Sequence, residues 1–153
     1  QIRQKVKTHF SFTGKYPVVV VDYLQILAPY NERATDKQNT DKAVMELKRI
    51  SRDYKIPVIA VSSFNRMNYK NAVTMEAFKE SGAIEYSSDV LMGLQLKGAG
   101  KDGFDVNDAK DKNPREIELV ILKNRNGATG RTVGFKYYPL FNYFKETPKT
   151  EWR

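Results

Sequence analysis

The sequence has no cysteine and a single histidine, His9, among its 153 residues. Disulfides, cysteine-ligated zinc and thiol chemistry are thereby excluded, as is a multi-histidine metal site within the chain. Its apolar runs are only a few residues long, so no helix is expected to span a membrane. The opening QIRQKVKTHF is basic but has no apolar stretch of the kind a signal peptide needs, and a cytoplasmic location is expected. The chain begins at Gln1 rather than Met, as a piece of something longer would. Acids are outnumbered: 18 Asp plus Glu stand against 26 Lys plus Arg, a net charge of +8. That excess suits a polyanion, with nucleic acid first and an anionic membrane or nucleotide second; solubility alone accounts for it equally well. Nine Tyr and eight Phe argue against a disordered chain. One ordinary domain over 1–153 is expected.

The order of patterns points to an α/β fold. Residues 1–16 carry Arg3, Lys5, Lys7 and Lys15 and no acid. VVVV at 18–21 reads as a strand buried on both faces. The polar stretch 29–42 reads as a loop entering a helix, with Thr40 or Asp41 as its N-cap. Val44, Leu47 and Ile50 then form one helical stripe, and IPVIAV at 56–61 is a second buried strand. Strand, helix and strand with short joints make a βαβ unit of a parallel sheet. Further on, a short helix broken at Gly82 is expected within 75–86, and a third strand over 89–96. The Gly-, Asp- and Lys-rich segment 97–114 reads as a mobile loop. REIELVILKNR (115–125) alternates as a half-buried strand, and RTVGFKYYP (131–139) pairs back on it across the turn NGATG. A last short strand is expected in LFNYF (140–144), and a frayed tail after it.

Four groups of residues stand out for chemistry. Asp22 ends the VVVV strand, and ligands of open parallel sheets bind beyond the carboxyl ends of strands. A Walker B aspartate holding Mg²⁺ and an aspartate capping the next turn are both open readings. Lys123 and Arg125, two apart at a strand's end, present paired positive charge to a phosphate, unless they are a solvated hairpin tip. The segments 64–70 and 78–85 carry Arg66, Lys70 and Lys79, with Ser81-Gly82 permitting close backbone approach; a polyanion contact or a plain surface loop would look alike. Phe135, Tyr137, Tyr138, Phe141, Tyr143 and Phe144 form an aromatic group that fits hairpin packing better than base stacking.

Taken together and in order, VVVVDYLQIL, IPVIAVSSFNR, FKESGAIEYSSDVLMGL and ILKNRNGATG resemble the C-terminal half of the DnaB family of bacterial replicative DNA helicases, over about residues 17–145. The resemblance implies a RecA-like, P-loop NTPase fold: a twisted sheet, mostly parallel, with a C-terminal antiparallel hairpin. It implies a homo-hexameric ring that couples ATP and Mg²⁺ to movement along single-stranded DNA and to duplex unwinding, with primase and a loader as further partners. By that resemblance Asp22 is the Walker B aspartate, and Lys123 and Arg125 reach the γ-phosphate held by a neighbouring subunit. Lys79, Glu80, Ser81 and Gly82 line the DNA channel, with Arg66 beside them. Ser63 stands where the family pattern has Gln, a γ-phosphate sensor. No G-x-x-x-x-G-K-[ST] occurs in the chain. In the family that loop and the catalytic glutamate lie upstream, so this chain alone is expected to hold half of an ATP site and not to hydrolyse ATP. A non-enzymatic DNA-binding or loader-like relative is the alternative.

Overall fold

The structure is a computed structural model that describes residues 1–27, 31–64, 69–78 and 82–148. The chain divides into two compact units, one of residues 1–63 with 80–88, the other of 64–79 with 89–153.

The first unit opens with helix α1, Ile2–Thr13. Nothing in the basic composition of this end announces a helix, yet Ile2, Val6 and Phe10 recur at the spacing of four that lays one stripe along a helix. Val6 is its buried residue and packs with Ile50 and Ile56, surrounded by Ile2, Val19, Tyr54 and Val58. Strand β1, Val19–Val21, pairs in parallel with β2, Val58–Ala60. Helix α2, Asp36–Tyr54, connects them and buries Ala43, Val44, Leu47 and Ile50. The expected stripe is therefore the core face, and each such large side chain contributes roughly 1.5–3 kcal/mol by leaving water. The helix starts ahead of the expected Thr40 or Asp41. Thr35 is the N-cap: its hydroxyl accepts from the Gln38 N–H while the Gln38 side chain accepts from the Thr35 N–H. This reciprocal box outcompetes later caps because it satisfies two orphan donors at once. Arg3 on α1 bonds Asp53 on α2 at 2.9 Å, and that contact holds the Asp53 carboxyl below the usual aspartate range.

The parallel pair is not buried on both faces as expected. Val21 is buried, but Val18, Val20, Ile59 and Val61 are 57%, 64%, 54% and 45% exposed. The side chains of a strand alternate between faces, and among the described residues the core covers only one of them.

The second unit is an antiparallel sheet in the order β3-β4-β5-β6. Its strands are β3, Val90–Leu96; β4, Arg115–Asn124; β5, Thr132–Tyr138; and β6, Tyr143–Glu146. The antiparallel portion is thus larger than a terminal hairpin, since the expected third strand joins it instead of extending the parallel pair. The β4–β5 hairpin forms as the sequence predicts, closed by Ile121 N–H to Arg131 O and Gly130 N–H to Ile121 O, both at 2.8 Å. Where a helix broken at Gly82 is expected, a short helix instead begins at that glycine, α3, Gly82–Ser87, and belongs to the first unit. Within 97–114 another short helix forms, α4, Val106–Asp111. The Asp105 carboxylate caps it by accepting from the N–H groups of Asn107 and Asp108, at 2.7 and 3.0 Å. Those two donors, Asp108's first, hold the Asp105 carboxyl below the usual aspartate range. Ala99 and Val106 are buried, so the segment is packed at two points.

Residues 69–78 pass over β3 and end in a 3₁₀ turn, Met75–Phe78, with Phe78 buried and edge-on to Phe64 at 4.9 Å. Two glycines permit this close passage. A Cβ at Gly93 would stand 2.8 Å from Val73 Cγ1, and one at Gly100 only 2.7 Å from the Ala72 nitrogen. Gln95 fastens the segment by accepting from the Val73 N–H at 2.7 Å while donating to Glu118 at 3.0 Å. Gly93→Ala is expected to destabilise the protein by about 1–3 kcal/mol, the range for overpacking a filled site. Urea denaturation measures it; an unchanged midpoint would show that Val73 simply moves aside.

Candidate functional site

Asp22 follows β1 directly, at the carboxyl end of a parallel strand, and its side chain is exposed. The Asp22–Tyr23 peptide is cis. A 3₁₀ turn, Leu24–Ile26, comes next, anchored by buried Leu24, whose N–H donates to Val61 O at 2.9 Å. That bond ties the end of β1 to the end of β2. Gln25 strengthens the tie. Its amide nitrogen donates to Ser62 Oγ at 2.9 Å, and its oxygen accepts from the Ser63 N–H at a longer 3.4 Å. Sequence reasoning singles out Ser63 but not Gln25, although Gln25 lies only three residues beyond Asp22. Asp22, Gln25, Ser62 and Ser63 therefore all sit at the carboxyl ends of the two parallel strands.

In the second unit, Lys123 lies on β4 opposite Leu91 and is half-buried. Arg125 follows the strand and is exposed. Asp89, one residue before β3, holds Arg125 twice. The Asp89 carbonyl accepts from the Arg125 N–H at 2.9 Å, and its carboxylate lies 3.3 Å from the guanidinium. Asp89 also escapes sequence reasoning. Its signal is its place one residue before a strand antiparallel to the Lys-Asn-Arg strand, which only the pairing register makes meaningful. Both side chains are about half exposed, so this ion pair contributes only about 0.2–1 kcal/mol and yields readily to a stronger anion.

Arg66, Lys79, Glu80 and Ser81 lie outside the described residues. Gly82 begins α3, where a Cβ would meet only the Tyr86 ring at 3.9 Å, so the backbone there does not itself demand glycine. Of the aromatic group, Tyr137 stacks on Phe144 at 4.4 Å and Phe135 is edge-on to Phe144 at 6.2 Å, while Phe141 and Tyr143 are 78% and 54% exposed. His9 lies exposed on α1. A cleft of about 720 Å³ between residues 69–77 and β3 is lined by Phe64, Val73, Leu94, Leu96 and Ile117, with Lys110 over the Tyr69 ring at its rim. None of the described candidate residues lines it.

Among the described residues no three His, Cys, Asp or Glu side chains cluster to cage an ion. One exposed carboxylate at a strand end fits Mg²⁺, which keeps several waters and takes its remaining oxygens from phosphates.

The family model described as DnaB-like helicase C terminal domain matches residues 1–146. The chain belongs to that family. Similar curated proteins include a probable replicative DNA helicase of Trieres chinensis, 30% identical over 148 residues, covering 94% of this chain and 31% of that protein. The replicative DNA helicase DnaB of Geobacillus stearothermophilus is 31% identical over 134 residues, covering 83% of this chain and 27% of its own length. The chain thus spans about a third or less of the curated relatives it matches. Among solved structures, one described as an ATPase domain superposes with a TM-score of 0.78 at 24% identity, covering 96% of this chain and 50% of that one. A DnaB-like replicative helicase solved in a study of its interactions with primase gives 0.76 at 25% identity, covering 94% and 34%. The fold is that of RecA-like helicase ATPase domains, and the α/β expectation holds. No described helix is long and apolar enough to cross a membrane.

Proposed function

We propose that this DnaB-type domain supplies the second half of an ATP-driven motor that moves on single-stranded DNA and separates duplexes. The observation carrying most weight is Asp22, an exposed carboxylate at the carboxyl end of a parallel strand in a chain of this family. In this reading Asp22 orients Mg²⁺ on a nucleoside triphosphate, and the ion neutralises phosphate charge when bound. Gln25 places its carboxamide against Ser63, the position where the family pattern has Gln, so an amide is available there from a different strand end. Lys123 and Arg125 act in trans, on the triphosphate of a neighbouring subunit in a homo-hexamer. Arg66, Lys79, Glu80, Ser81 and Gly82 face the DNA backbone. Primase and a loader are the protein partners.

The direct test uses full-length protein. ATP turnover is expected to rise with single-stranded DNA, and a forked duplex to be unwound only with ATP and Mg²⁺. DNA binding is expected to weaken with salt, by a log–log slope of about −0.7 for each phosphate contacted. Turnover that ignores DNA, with binding that ignores salt, would overturn the motor reading.

A further inference from the structure

We infer that the outer edge of the β5–β6 hairpin is a second contact site for single-stranded nucleic acid, separate from the channel loop and resting on the hairpin alone. Its parts are Lys136, Tyr138, Tyr143 and Lys145. The register sets Lys136 opposite Lys145 and Tyr138 opposite Tyr143. Residues two apart share a face, so two lysines and two tyrosines tile one side of the sheet edge.

Two like charges directly opposite on paired strands repel and destabilise the pairing. The nearest acid in that row does not cancel them. Glu116 faces Lys136 from β4, but its carboxylate is 3.0 Å from Lys97 on the far side. The row therefore holds three lysines and one glutamate. Among the described residues neither Lys136 nor Lys145 forms an ion pair. An anion lying across the hairpin would remove the repulsion.

The tyrosines say which anion. Tyr137 and Phe144, on the opposite face, stack on each other at 4.4 Å, so each covers one side of the other's ring. Tyr138 and Tyr143 instead stand 6.0 Å apart and tilted by 34°, with Tyr143 54% exposed. Leu140 and Phe141, in the link between the strands, are 81% and 78% exposed. Cations beside aromatic rings with open surface are the elements of single-strand binding: lysines take the phosphates and rings stack on bases of any sequence. An acidic polypeptide would satisfy the lysines but leave the rings unused.

The test is photo-crosslinking of full-length protein to oligothymidylate carrying 5-iododeoxyuridine, with the crosslinked peptides mapped by mass spectrometry. Crosslinks at Tyr138 or Tyr143 are expected in addition to any in the channel loop. Lys145→Glu separates binding from folding, because it replaces a repulsive pair by an attractive one. Its melting temperature is expected to hold or rise while crosslinking at the hairpin falls several-fold and the salt slope shrinks by about 0.7. Tyr143→Leu is expected to cut hairpin crosslinking about 5- to 150-fold. Crosslinks confined to the channel loop, or hairpin crosslinks indifferent to both variants, would overturn the site. Polyglutamate displacing the oligonucleotide from the hairpin at equal charge, with Tyr143→Leu without effect, would assign the patch to an acidic protein instead. Either result leaves the motor reading untouched, since that stands on ATP turnover.

Discussion

Arg125→Ala is expected to lower single-strand-stimulated ATP turnover of the full-length protein about 10³–10⁵-fold, the range for removing an arginine finger. That is roughly 4–7 kcal/mol of barrier. The guanidinium is exposed beyond the end of β4, and its ion pair to Asp89 is weak. A transferring phosphoryl group offers far stronger charge complementarity, and its equatorial oxygens suit the planar fork. Because that charge develops in the transition state, the loss is expected in kcat with little change in KM. Arg125→Lys should recover only part of the rate, since an ammonium cannot bind two oxygens as a fork. Folding is expected to survive, because the Asp89 pair contributes little. Steady-state kinetics with a separate thermal melt checks all of this; unchanged kcat would remove Arg125 from the site. The trans action has its own check. Mixing Arg125→Ala subunits with Asp22→Asn subunits should restore some turnover, because some interfaces then join an intact Asp22 to an intact Arg125. If both variants are inactive alone, no restoration would place the arginine in its own subunit's site.

Asp22→Asn is expected to lower turnover on the order of 10²-fold or more, the scale of losing one group preorganised around developing charge. Asparagine keeps the shape and removes the charge that attracts a hard cation. The Mg²⁺ concentration for half-maximal turnover is therefore expected to rise as well. Asp22 is exposed, so the substitution is expected to leave the fold intact, and circular dichroism checks that. An unchanged Mg²⁺ dependence with normal turnover would return Asp22 to a turn-capping role.

Much of the fold can be read in advance because its signals are local. The Val44, Leu47 and Ile50 stripe is the buried face of α2, and the alternation of 115–125 is β4. The stretch NGATG, 126–130, lies in the connection that carries the chain from β4 into β5. Helix α1 is obscured by its charge: the cations of this end draw attention from the Ile2, Val6 and Phe10 spacing. The start of α2 is misplaced because Thr35 and Gln38 look like loop residues until both halves of the capping box are seen to close.

The candidate site is legible in part. Asp22, Lys123 and Arg125 stand out because a carboxylate or paired cations at a strand's end are conspicuous in one dimension. Gln25 and Asp89 do not. Their importance lies in partners 38 and 36 residues away, Ser63 for Gln25 and Arg125 for Asp89.

The sequence by itself determined the family, the α/β class and the ends of the strands where charge collects, because periodicity and motif order are carried by neighbours along the chain. Only the tertiary structure decided which face of VVVV is covered, which acid holds Arg125 and that Lys136 faces Lys145. Those outcomes depend on strand register, and a shift of one residue would turn every side chain of a strand to the other face.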